Sequence, residues 1–121
     1  MATDWLEVPP LRRVTDDLLR PEVPALVHEP IEFLAALNDA GEIRRYFARV
    51  GIRGRRRTPW SDPVARFVRS WPGMEPCWMV LVCVNTTVVN GWPVHHPLPV
   101  FEFVRQFDQA RYPELLSVGA R

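Results

Sequence analysis

Arg53, Arg55, Arg56 and Arg57 place four guanidinium groups within five positions of the stretch GIRGRRRTPWSDP, Gly51 to Pro63. Cations at that density repel one another and raise the local affinity for phosphate or carboxylate groups. The stretch ends in Asp62-Pro63, a helix-start signature, and the free amides and dipole of a helix N-terminus also favour an anion. Trp60 offers a ring that can stack on a base or pack beside a guanidinium. Arg44, Arg45 and Arg49 lie just upstream, and Arg66 and Arg69 just downstream. The candidate anion-binding set is therefore Arg45, Arg49, Arg53, Arg55, Arg56, Arg57, Trp60, Arg66 and Arg69, with Arg44 beside it. Its expected partner is an anionic macromolecule, either nucleic acid bound without sequence preference or an acidic protein surface. The competing reading is a solvated loop, or one neutralised by the chain's own acidic first third.

The formal net charge of +1 conceals a strong segregation. Residues 1–43 carry three arginines against nine carboxylates, a net −6. Residues 44–69 carry nine arginines against Asp62 alone, a net +8, and residues 70–121 carry three against four, a net −1. All fifteen basic residues are arginine, which points to a GC-rich coding genome and weakens arginine abundance as a sign of phosphate recognition.

Other chemistry is thinner. His95 and His96 are adjacent, so on a strand they face opposite ways and cannot share a metal. Either is a candidate acid or base at a sheet edge, oriented by Asp108 or Glu102 on the following helix. This alternative describes a small pocket enzyme of isomerase, cyclase or hydrolase type, with His95, His96 and Asp108 as its catalytic candidates. No metal motif, glycine-rich phosphate loop or nucleophile elbow occurs, so neither a metal nor a cofactor is expected. Cys77 and Cys83 lie six residues apart, about 20 Å along a strand and beyond disulfide reach. They are expected to be buried free thiols in a reducing compartment. Asp4 and Glu7 interrupt any signal peptide, and no apolar run approaches the roughly 18 residues of a membrane span. A cytoplasmic protein without a membrane partner is the expectation.

The elements that must position these residues follow from pattern and punctuation. At 121 residues with 47% hydrophobic composition the chain fits one globular domain. Prolines dominate the first thirty residues and predict an extended arm over 1–30, with one helical turn capped by Thr15, ahead of a single domain over 31–121. A helix is expected from Glu29-Pro30 to about Asn38, ended by Gly41. A second opens at Asp39, with Glu42 completing a capping box and Ile43, Tyr46, Phe47 and Val50 inward. Gly51 is its expected C-cap. A third starts at Asp62-Pro63 with Val64, Phe67, Val68 and Trp71 inward. The run CWMVLVCV predicts a strand buried on both faces, the most buried of the sheet. Asn90-Gly91 predicts a hairpin turn, and Pro93 puts the last strand at an edge. A last helix opens at Pro99 with Val100, Phe103, Val104 and Phe107 inward and is ended by Pro113. The fold class is α+β: a three-stranded antiparallel meander packed against three to four amphipathic helices. Trp78 and Trp92, on strands expected to leave one face uncovered, suggest a docking face for a partner chain or a second copy. The twelve-residue connection between the second and third helices is too long for a helix-turn-helix, whose turn is about 3 to 4 residues.

The order Gly51 to Gly54, then Pro63-Val64-Ala65, then Leu98-Pro99, Phe103-Val104, Phe107-Asp108 and Tyr112-Pro113-Glu114-Leu115 resembles a group of small actinomycete proteins. In these a GIRG helix end leads to a Cys-Pro-Leu-Ala-like helix start, and an LPxxVxxFVxxFDxGxYPEL segment closes the chain. The resemblance spans about half the chain and implies a shared fold and cellular context, with no activity attached. Asp62 stands where that group often carries cysteine, so no thiol role transfers to it.

Overall fold

The computed structural model describes residues 24–117. Residues 1–23 of the expected extended arm, with the turn expected near Thr15, lie outside the described residues. From Pro24 onward the order is α1 (Ala25–Ala35), α2 (Ala40–Val50), α3 (Pro63–Ser70), β1 (Val80–Val82), β2 (Thr86–Val89), β3 (Trp92–His95), α4 (Leu98–Asp108) and a 3₁₀ turn, Pro113–Leu115. The fold is α+β, with an antiparallel sheet in the order β1-β2-β3. Among the described residues no helix is long and apolar enough to cross a membrane.

The caps read from the sequence are in place. Asp39 accepts the Glu42 amide at 2.9 Å and opens α2, which Gly51 ends at φ 80°, a left-handed conformation that costs glycine little. Asp62 accepts the Val64 amide at 2.7 Å and opens α3 with Pro63 in its first turn. Three helix boundaries differ from expectation. α1 starts at Ala25, not Glu29, and contains Pro30. Its buried stripe is Val27, Pro30, Ile31 and Leu34, spaced i, i+3, i+4, i+7, and burial of that stripe offsets the hydrogen bond that Pro30 removes. α1 ends at Ala35 because Asn38, at φ 87°, makes the left-handed turn; Gly41 lies inside α2. α4 ends at Asp108, well before Pro113, where Ala110 turns the chain at φ 64°. Val50, expected inward, is exposed at the last turn of α2.

The sheet corrects a larger expectation. β1 covers only Val80–Val82 and lies at an edge, while β2 is central. Val80 and Val82 are buried, but Met79 is exposed and so are both Cys77 and Cys83. The strand is short because the chain turns on both sides: the Trp78 amide bonds to Glu75, and the Cys83 amide to Thr86. The apolar run thus extends beyond the ladder at both ends, and its thiols fall outside the core. Trp78 and Trp92 meet edge to face at 5.3 Å and pack partly buried against the core. β3 lies at the other edge, as Pro93 requires. The hairpin turn has Asn90 at φ 50° and Gly91 at φ 91°. Asn90→Ala is expected to cost about 1 kcal/mol, since alanine lacks the local side-chain hydrogen bonding that eases asparagine into the left-handed region. A lowered urea midpoint checks it.

α1 and α2 both pack on α4, α1 also reaches β3 and α3, and α3 packs on β1. Phe47 of α2 sits edge-on to Phe103 of α4 at 5.2 Å and tilted against Phe67 of α3 at 5.7 Å, so one ring joins three helices. Between α2 and α3 runs the arginine-rich connection, which this packing holds at the surface.

Candidate anion-binding surface and an adjoining cavity

The connection from Ile52 to Ser61 is tied down along its length. Gly54 donates its amide to the Leu115 carbonyl at 2.8 Å and accepts the Ser117 amide at 2.9 Å, a short parallel bridge to the C-terminal segment. The Arg55 amide bonds to the Ser61 carbonyl at 2.8 Å, and the Val82 amide reaches the Pro59 carbonyl at 2.9 Å, so the loop covers part of the β1 edge. The Arg57 amide donates to Asp108 Oδ1 at 2.9 Å, with Arg57 itself held at φ 54°. The loop is therefore a frame held by backbone bonds to the ends of α4 and β1.

The nine candidate residues divide by what holds them. Arg45 is paired with Glu42 on the same helix at 2.6 Å, and Arg44 is paired with Glu114. Both pairs are exposed, so they contribute little to stability, but they locally cancel charge. Arg53 donates to the Glu114 carbonyl, Arg56 to the Asp108 carbonyl at 3.3 Å and Arg69 to the Trp60 carbonyl at 2.8 Å. A carbonyl orients a guanidinium without neutralising it. Arg49 lies over the Tyr46 ring at 5.6 Å. Arg55 and Arg66 make no side-chain hydrogen bond to a described residue and are exposed. Burial, then the neighbouring charge of Arg66, lowers the Arg69 pKa, which marks a region where positive charges face one another. Trp60 is 59% exposed beside them. Arg57 stands apart: its backbone amide is bonded to Asp108, and with Asp108 it lines a cavity.

One element of the expected site is occupied from within. At the N-terminus of α3 the Val64 amide is taken by Asp62, which is itself buried there. Pro63 has no amide to offer.

Sequence reasoning missed a cavity of about 200 Å³ behind the loop, lined by Arg57, Thr58, Pro59, Asp62, Val82, Cys83 and Asp108. Burial, opposed by the Val64 amide and reinforced by the charge of Asp108, pushes the Asp62 carboxyl up to about 8. The only sequence signals were the two aspartates, one legible as a cap and the other as a partner for histidine.

The imidazoles lie elsewhere. His96 donates Nδ1–H to the Val84 carbonyl at 2.9 Å, which fixes the neutral tautomer and leaves Nε2 to accept the Thr87 hydroxyl at 2.6 Å. Thr87 is fully buried, so this contact satisfies a hydroxyl that would otherwise be orphaned. Burial pushes the His96 pKa down. His95 is exposed, with Nδ1 3.3 Å from the Thr86 hydroxyl. Neither ring lines the cavity or bonds to Asp108, which is engaged with Arg57; Glu102 pairs with Arg105. The structure therefore does not assemble His95, His96 and Asp108 into one site. Among the described residues no group of three or more His, Cys, Asp or Glu is placed to hold a metal. Compared with protein-family models, with curated proteins and with solved structures, the chain gives no match, so its chemistry rests on this geometry.

Proposed function

We propose that the chain is a small non-enzymatic accessory domain that binds an anionic macromolecule, nucleic acid or an acidic protein, through the surface of Arg49, Arg53, Arg55, Trp60, Arg66 and Arg69. The observation that carries this reading is the manner in which its arginines are held. Arg53 and Arg69 are oriented by backbone carbonyls, and Arg55 and Arg66 have no carboxylate among the described residues, so the positive charge is pre-positioned and uncompensated. Pre-positioning removes part of the ordering cost that binding imposes on long side chains. The exposed Trp60 adds a stacking surface within the same region. A cytoplasmic setting accords with the exposed free thiols Cys77 and Cys83, which a reducing compartment preserves.

Binding to single-stranded DNA and to polyglutamate, measured by fluorescence anisotropy across a salt series, tests the reading. Affinity is expected to fall with salt, with a log–log slope of about −0.7 per phosphate contacted on the single strand. The double variant Arg55→Ala, Arg66→Ala is expected to flatten that slope by roughly one to two contacts. Arg44→Ala, which removes a residue already paired with Glu114, is expected to leave it nearly unchanged. Absence of binding to both polymers at low salt, or indifference to the double variant, would refute the proposal.

A further inference from the structure

We propose that the cavity between Asp62, Asp108 and Arg57 is a binding site for a small neutral molecule of the primary-amide class. Three observations carry this, independently of the basic surface outside. Asp62 is only 3% exposed, and its single hydrogen bond engages Oδ1 with the Val64 amide; the second oxygen takes none from any described residue. A carboxyl on the cavity wall with capacity left on one oxygen can take a hydrogen bond from a bound molecule. The lining also includes Asp108, with one oxygen on the Arg57 amide, and Thr58, whose hydroxyl donates to the Arg56 carbonyl and so keeps its lone pairs for a donor. Arg57, whose side chain makes no hydrogen bond to a described residue, completes the polar lining, while Pro59, Val82 and Cys83 supply apolar surface.

The charge arrangement selects the ligand class. An anion placed in the cavity meets the Asp108 carboxylate; a cation meets Arg57. A group that presents a carbonyl and an N–H₂ side by side satisfies both sets. Its carbonyl accepts from Arg57 or from the Asp62 carboxylic acid, which burial keeps protonated near neutral pH, and its amino protons go to Asp108 or Thr58. About 200 Å³ accommodates a molecule of several heavy atoms, since one water claims about 30 Å³ in the liquid.

Three probes of nearly equal shape separate the alternatives: propionamide, propionate and propylammonium, titrated into the ¹⁵N-labelled full chain near neutral pH. Propionamide is expected to shift the Val64 and Arg57 amides saturably, with a dissociation constant on the order of 1–10 mM, as befits so small a ligand. The charged probes are expected to bind at least about tenfold more weakly. Cys83→Phe, at an exposed position on the cavity wall, is expected to abolish the response while the rest of the amide spectrum stays in place. Independently of any variant, nuclear Overhauser contacts between the probe methyl and the Val82 methyls are expected in the native chain. No saturable shift, an equal or stronger response to either charged probe, a response that survives Cys83→Phe, or bound probe without contacts to Val82 would each overturn the proposal.

Discussion

Gly54→Ala is expected to destabilise the protein by about 3 kcal/mol or more, the upper end of what overpacking costs. A Cβ at this position would lie 2.5 Å from the Ser61 carbonyl oxygen and 2.5 Å from both the nitrogen and Cδ of Pro63. These are backbone and ring atoms at the start of α3, so they cannot move aside as the tip of a long side chain would. On its other side Gly54 is bonded to Leu115 and Ser117, so the backbone cannot retreat either. Gly51→Ala provides the contrast. Its added Cβ meets nothing, and only the left-handed φ of 80° is penalised, at about 1–2 kcal/mol. Urea denaturation of both variants checks the pair. A Gly54→Ala midpoint no lower than that of Gly51→Ala would mean that the loop does not pass between α3 and the C-terminal segment as described.

Asp62→Asn is expected to change the pH dependence of stability more than any other single polar substitution. The carboxyl is raised from about 4 in the unfolded chain to about 8 in the folded one, so the native state holds a proton that the unfolded state releases. The stability that this proton contributes is fully present below pH 4 and is lost as pH rises through 8. Across that window native protein binds the extra proton, and stability declines by up to about 1.4 kcal/mol per pH unit from this group. Asparagine caps a helix as well as aspartate and has no proton to lose. The difference in unfolding free energy between variant and native protein should therefore grow in the variant's favour from pH 5 to pH 8 and then level off. Taking the difference cancels the opposite contribution of His96, whose depressed pKa stabilises above its ordinary value of 6.5 and is lost as pH falls below it. A difference that stays flat across the window would show that Asp62 is ionised throughout.

Gly54 and Asp62 meet at one place, the junction of the arginine loop with α3, and that place is only half visible in the sequence. Whatever is encoded within a turn or two of chain was legible. Asp39 with Glu42, Gly51, Asp62-Pro63 and Asn90-Gly91 each declare a cap or a turn through local hydrogen bonds and local φ preferences. The stripes Ile43 with Phe47, Val64 with Phe67 and Val68, and Val100 with Phe103, Val104 and Phe107 follow from helical periodicity alone. Pro93 likewise determined an edge by lacking a donor.

Tertiary structure decided whatever depends on residues distant in the chain. Pro30 was read as a helix start, yet a buried stripe that includes Val27 carries α1 past it. The run from Cys77 to Val84 looked like a doubly buried strand, yet turns at Trp78 and Cys83 limit the ladder to three residues and leave the thiols outside. Arg53 and Arg55 to Arg57 carried an unmistakable density of charge, but composition alone says nothing of their partners. Glu114 and Asp108 reach the loop only because α4 and the 3₁₀ turn fold back against α2, and the same return places Asp108 opposite Asp62. Local propensities act within a few residues, whereas burial, charge pairing and the raised proton affinity of Asp62 arise only when packing removes water from between segments far apart in sequence.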